Sequence, residues 1–200
     1  SLIYLRYTPE IYKTQANIQI AIKDQPLEFM GMNSYSSNTN LSSELAIIKS
    51  QKSIFKLIKK LNLNIFYYWE GEIVSRLLYK RNPYKLENYK IKDSSIISEK
   101  IYLKYENKYF SLVNEEKKII YGEFIEANKF FSSKYISGIL RIKGDSEEFE
   151  KSIENSNSYF IIPTKKQIKK EILDGLELNI LDQSAHTISI SHKHSNPLFS

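Results

Sequence analysis

The 200-residue chain contains no cysteine. That excludes a disulfide framework and a thiolate metal site, and it leaves the redox compartment undetermined. Arginine is scarce: only Arg6, Arg76, Arg81 and Arg141 stand among the 29 basic residues. A lysine-dominated excess over 23 acidic residues, net +6, argues against nucleic-acid recognition, which leans on guanidinium forks. No run of about 18 apolar residues exists, so nothing in this sequence reads as a membrane-spanning helix. Phosphate loops, nucleophile elbows and protein-kinase signatures are missing as well, which leaves phosphoryl transfer without machinery.

What is present is a globular composition, 42% hydrophobic and 13% aromatic with 15 tyrosines, enough for one domain or two small subdomains. Residues 40–69 organise the rest. Leu41, Leu45 and Ile48 recur at i, i+4, i+7, and Ile54, Leu57, Ile58 and Leu61 at i, i+3, i+4, i+7. Each set marks one face of an amphipathic helix. At ~100° per residue the two faces are out of phase. The pattern therefore predicts two helices meeting at a bend near Ser50 to Ser53, with Lys52, Lys56, Lys59 and Lys60 facing solvent. Asn62 and Asn64 interrupt it, and residues 65–69 read as an aromatic strand.

Upstream, Ala16, Ile18, Ile20 and Ile22 alternate with Gln15, Asn17, Gln19 and Ala21, which predicts a strand with one buried face. Residues 27–40 read as a loop, with Asn40 or Ser42 capping the first helix. Downstream, residues 73–79 predict one or two helical turns, after which the period changes to two. Strands are expected at 84–91, at 101–105 and 108–112 around a tight Glu106-Asn107 turn, at 119–124 and at 135–142. Residues 145–157 are acidic and polar and read as a surface segment with at most a weak helix. A short strand at 159–162 ends at Pro163. Thr164 and Gln167 fit a capping box before a helix that turns Ile168, Ile172 and Leu173 inward and stops at Gly175. Strands at 176–181 and 187–191 follow, and Asn196-Pro197 signals a further helix that is not completed by Ser200, as in a piece of a longer protein.

The expected fold is α+β. One mixed sheet joins the 16–22 strand with those near 64–69 and after Gly175, and helices 41–61 and 164–174 cover one face. Residues 1–69 and 158–200 form this domain; residues 70–157 form an inserted β-rich, jelly-roll-like subdomain.

Ser43-Glu44-Leu45-Ala46-Ile47-Ile48-Lys49-Ser50, followed by a helix ending Lys60-Leu61-Asn62-Leu63-Asn64, resembles the Wzz-type chain-length-determinant domain. That domain is the periplasmic part of bacterial polysaccharide co-polymerases, including Wzc-like exopolysaccharide tyrosine kinases. Tyr7-Thr8-Pro9-Glu10-Ile11-Tyr12 resembles the segment after the family's first transmembrane helix; on that view Ser1 to Leu5 is the helix's tail, otherwise an ordinary first strand. The stretch from Glu70-Gly71-Glu72-Ile73 to Asn82-Pro83-Tyr84 resembles the start of the β-rich insert of Bacteroidetes-type members. Ile188-Ser189-Ile190-Ser191 with Asn196-Pro197 resembles the strand leading into the long second helix, which this sequence does not contain. The resemblance implies a Wzz-like sheet at the periplasmic face of the inner membrane, anchored through flanking segments and assembled as a homo-oligomer. It implies a polysaccharide polymerase and an outer-membrane export protein as partners, with polysaccharide as a further contact and no nucleic acid. The implied role is to regulate length and export of capsular or exopolysaccharide without chemistry or cofactor, any tyrosine kinase domain lying outside this stretch.

Three groups were weighed as sites. His192 and His194, two apart on a strand, have a two-ligand spacing with His186 and Asp182 nearby; a solvent-facing strand end is the plainer account. Glu70 with Glu72, or Glu147 with Glu148 and Glu150, would need carboxylates ~5–10 Å apart across a sugar for glycosidase chemistry, and read more simply as solvated charge. Tyr102, Tyr105 and Tyr109 suit either sugar stacking or half-buried packing. No catalytic, cofactor-binding or metal residue is assigned. The rival functions are a carbohydrate-binding module and a hydrolase of surface polymers.

Overall fold

Aromatic and β-branched side chains dominate the strands, and in the computed structural model they pair into three antiparallel sheets. The structure describes residues 10–20, 41–71, 75–80, 82–116, 120–143, 149, 153 and 157–196. The order is β1 (Tyr12–Gln19), α1 (Leu41–Ile48), α2 (Gln51–Leu61), β2 (Phe66–Glu70), β3 (Ser75–Leu77), β4 (Tyr84–Ile91), β5 (Ile101–Glu106), β6 (Tyr109–Val113) and β7 (Ile120–Ile125). Then come β8 (Phe130–Ser132), β9 (Ile136–Ile142), β10 (Asn157–Ile161), α3 (Lys165–Gly175), β11 (Leu176–Asp182) and β12 (Thr187–His194).

The six-stranded sheet β3-β2-β10-β5-β6-β7 faces the three-stranded sheet β4-β9-β8 across one core. Tyr67, Leu103, Phe110 and Phe160 enter it from the first sheet, Tyr84, Leu86 and Leu140 from the second, and all are buried. Tyr84 and Phe160 are 0% exposed, and the Tyr84 hydroxyl is satisfied by the Ser158 Oγ at 3.1 Å. The third sheet, β1-β12-β11, stands apart from this sandwich. The N-terminal part of α2 is fixed by Ser50, whose side chain accepts from the Ser53 N–H, and Asn62 closes the helix in the left-handed conformation (φ 54°). Thr164 and Gln167 form the expected capping box on α3. Together α2 and α3 bury Ile54, Ile58, Ile168 and Ile172 against Leu63 and Phe66.

The α+β expectation is corrected. Among the described residues strand takes 49% and helix 23%, and the arrangement is β-sandwich-like rather than a mixed sheet covered by helices. The physical reason is pairing. β2 does not join β1; it pairs with β10, Tyr67 opposite Phe160, and β10 pairs onward with β5. Buried aromatics on both strands draw them into the sandwich core, so the six-stranded sheet runs across residues 70 and 157, where the subdomain limits were expected. Nor is one face of β1 buried: all eight of its residues are exposed, and Ile18 is 44% exposed. The described part of 73–79 gives the short strand β3 where helix was expected, Ile73 and Val74 lying outside the described residues. From the acidic 145–157 stretch, Phe149 and Ile153 are buried in the sandwich core, so it is not simply a surface segment. The 101–113 hairpin forms with its turn at Asn107-Lys108, both at positive φ (52° and 68°), one residue later than expected. The loop at 27–40, the Asn40 cap, Ser1 to Leu5, most of 145–157 and Pro197 lie outside the described residues.

Candidate functional site

Of the three histidines, His194 has defined hydrogen-bond partners for both ring nitrogens. His192 and His194 do lie on one side of β12, their rings near parallel (9°) with centroids 6.3 Å apart. His194 Nδ1 accepts from the Asn196 N–H (2.9 Å), which directs its Nε2 toward Glu171 Oε1 at 3.1 Å. That hydrogen bond holds the Glu171 carboxyl below its usual value. Asp182 sits at the other end of β12, opposite Thr187, and its Oδ1 accepts from the Ser184 and Ala185 N–H groups of the turn. His186 occupies that turn at φ 51°. Among the described residues no group of three or more His, Cys, Asp or Glu is placed to hold a metal. Asn196, expected as a helix cap, donates its side-chain amide to the Leu77 carbonyl.

Of the acidic pairs, Glu72, Glu147, Glu148 and Glu150 lie outside the described residues. Glu70, on the face of β2 turned away from the sandwich core, accepts from the Tyr102 hydroxyl at 3.0 and 3.1 Å and from Lys100 Nζ at 3.3 Å. Lys100 also bonds Glu115 and lies 5.2 Å from the centre of the Tyr159 ring. Tyr159 in turn stacks on Tyr68 at 5.0 Å and touches Tyr102 at 5.2 Å. Tyr102 is therefore buried (5% exposed), its phenol pushed up to about 12 by burial first and by the Glu70 bond second. This is packing with a satisfied ion cluster, and the ring has no face left for a sugar. Tyr105 packs on Phe110, centroids 4.7 Å apart.

Tyr105 is half-buried and Tyr109 is exposed, at 41%, and Tyr109 leads to a feature the sequence pattern did not single out. Between β7 and β8, the free edges of the two sandwich sheets, runs a groove of about 550 Å³. β7 is bulged there: Phe110 opposes Ile125 and Leu112 opposes Gly122, so three steps on β7 match two on β6. The extra residue is taken up beside Phe124, which adopts φ 52°, a conformation that costs a bulky side chain about 1–2 kcal/mol. The bulge throws the Phe124 ring into solvent (73% exposed), edge-on to Tyr109 at 5.8 Å. Phe130 on β8 is 66% exposed on the facing wall. At the groove floor a Cβ on Gly122 would stand 3.2 Å from the Ile125 Cδ1 and at ordinary contact, 3.6 Å, from the Phe131 ring. The Ser133 hydroxyl ties the walls, donating to the Tyr121 carbonyl while accepting from the Ile136 N–H at 3.1 Å.

A second, apolar cleft of about 410 Å³ lies between α2 and the third sheet, lined by Leu57, Leu61, Ile172, Ile190 and His192. No helix among the described residues is long and apolar enough to cross a membrane. No family model matches the chain, and no curated protein matches it.

Proposed function

We propose that this chain is the periplasmic scaffold domain of a membrane-anchored polysaccharide co-polymerase, and that it regulates the length and export of capsular or exopolysaccharide without performing chemistry. The motifs at 43–50, 60–64 and 188–191, in the family's order, support the reading. The observation that carries it is where the strands begin and end. β1 and β12 are antiparallel neighbours with Tyr12 opposite His194, so the chain enters β1 and leaves β12 side by side at one end of one sheet. A domain borne on two flanking anchors needs its two ends together, and the sandwich, built between α2 and α3, then projects as a single body from that base. A homo-oligomer working beside a polymerase and an export protein follows from the same reading.

The test is genetic. Disrupting the gene in its source and sizing the surface polysaccharide by gel should show an altered length distribution, restored by the intact gene. An unchanged distribution contradicts the proposal.

A further inference from the structure

We infer that the groove between β7 and β8 is a binding site for a neutral oligosaccharide chain, laid across the open edge of the sandwich. The inference stands on the groove alone and does not need the membrane-anchored reading.

Three properties point to sugar. The first is ring display. Phe124 and Phe130 line the groove and are exposed (73% and 66%), and aromatic rings match the C–H faces of pyranose rings while the sugar's hydroxyls stay free to bond elsewhere. The second is polar lining. Glu123, Glu126, Lys129, Lys134 and the Ser132 hydroxyl line the same groove, supplying the donors and acceptors that hydroxyls require. The third is preorganisation. The bulge sets the Phe124 backbone and Ser133 ties the two walls, so the backbone of the groove is in place before a ligand arrives. At about 550 Å³ the groove falls within the range of small-molecule sites, roughly 300–1,000 Å³.

Charge selects the class of sugar. The lining carries two carboxylates and two ammonium groups, and Lys129 is already paired with Glu126. Lys134 lies 5.3 Å from the centre of the Tyr135 ring. No cationic excess is left to neutralise an acidic polymer or a phosphate backbone, whose binding needs a basic track.

The test is affinity electrophoresis of the 200-residue chain through gels containing dextran, laminarin, hydroxyethylcellulose, galactomannan or, as the acidic comparison, alginate. We expect retardation by at least one neutral polymer. Phe130→Ala and Phe124→Ala should each weaken it roughly tenfold, as the loss of one stacked ring of about 1.4 kcal/mol requires. Ile47→Ala, an exposed position on α1, should leave it unchanged. Phe130→Ala removes an exposed side chain without touching the bulge, so unchanged thermal unfolding of that variant separates lost binding from lost fold. Absence of retardation by every neutral polymer, retardation by alginate alone, or wild-type retardation in both variants overturns the site. Any of these leaves the polysaccharide-length test untouched, because that test reads a cellular product.

Discussion

Phe160 and Ile18 are both apolar residues on well-paired strands, yet Phe160 is 0% exposed and Ile18 is 44% exposed. The first lies in a sandwich whose two sheets cover each other. The second lies on an edge strand of a three-stranded sheet, beside Ile188 of the central strand, which is itself buried at 1% exposure. Alternation along a strand thus records which side chains share a face, and only the tertiary layer decides whether that face is buried. The molecule divides its labour accordingly. The sandwich holds most of the buried apolar surface, and the small sheet with its helices brings the two ends of the fold together.

The largest expected effect sharpens that comparison. Phe160→Ala opens a cavity in the sandwich and should cost about 3–5 kcal/mol in urea unfolding. Ile18→Ala should stay within about 0.5 kcal/mol. Equal losses would erase the distinction between the two regions.

Gly175 lies in the second region, ending α3 directly into β11. A Cβ there would come within 2.4 Å of the Lys193 carbonyl oxygen and 2.7 Å of His192 Nε2. Gly175→Ala must push β12 away and should cost about 1–3 kcal/mol, measured as a lowered denaturation midpoint. A neutral result would mean that the small sheet yields freely.

The two regions should also respond oppositely to pH. Burial holds the Tyr67, Tyr68 and Tyr84 phenols far above their usual value, and Tyr102 at about 12. The unfolded chain releases these protons near pH ~10 while the folded chain keeps them, so this stability is complete below ~10 and is lost as pH rises further. A phenolate absorbance titration should show a group of tyrosines that ionise only on unfolding; ordinary titration of all of them contradicts the packing. Glu171 behaves conversely. Its carboxyl is lowered by the His194 bond, so its contribution is present above about 4.5 and fades as pH falls through the folded value. Glu171 is 44% exposed, so the acid effect should be the smallest of all, visible as a shallower acid limb in Glu171→Gln.

Local signals were legible in the sequence and distant ones were not. The α1–α2 bend at Ser50, the Thr164–Gln167 capping box and the 101–113 hairpin each depend on residues a few positions apart. The pairing of β2 with β10 joins residues about 90 positions apart, and nothing in either strand's own pattern names its partner. Phe149 and Ile153 are four apart, a helix-face spacing masked by the acidic residues between and around them. β8 is three residues long, too short to show a period. At the candidate site Tyr109 was legible as an aromatic beside a turn. Phe124 and Phe130 were not, because a bulge and a corner between two sheets place them; the only available signal was the density of Phe between residues 124 and 131.

The central claim, that one sheet holds the two ends of the fold together, can be tested covalently. Ile20 donates to the His186 carbonyl at 3.0 Å, which makes the even-numbered residues of β1 the hydrogen-bonded pairs with β12. Lys13 and Lys193 therefore face each other in a non-hydrogen-bonded pair, with Cα atoms about 4.5 Å apart, inside the disulfide range of about 4.4–6.8 Å. This stretch has no native cysteine to compete. Lys13→Cys with Lys193→Cys, oxidised in the folded 200-residue chain, should form an intramolecular disulfide. Thiols that stay unlinked in the folded protein would contradict the account.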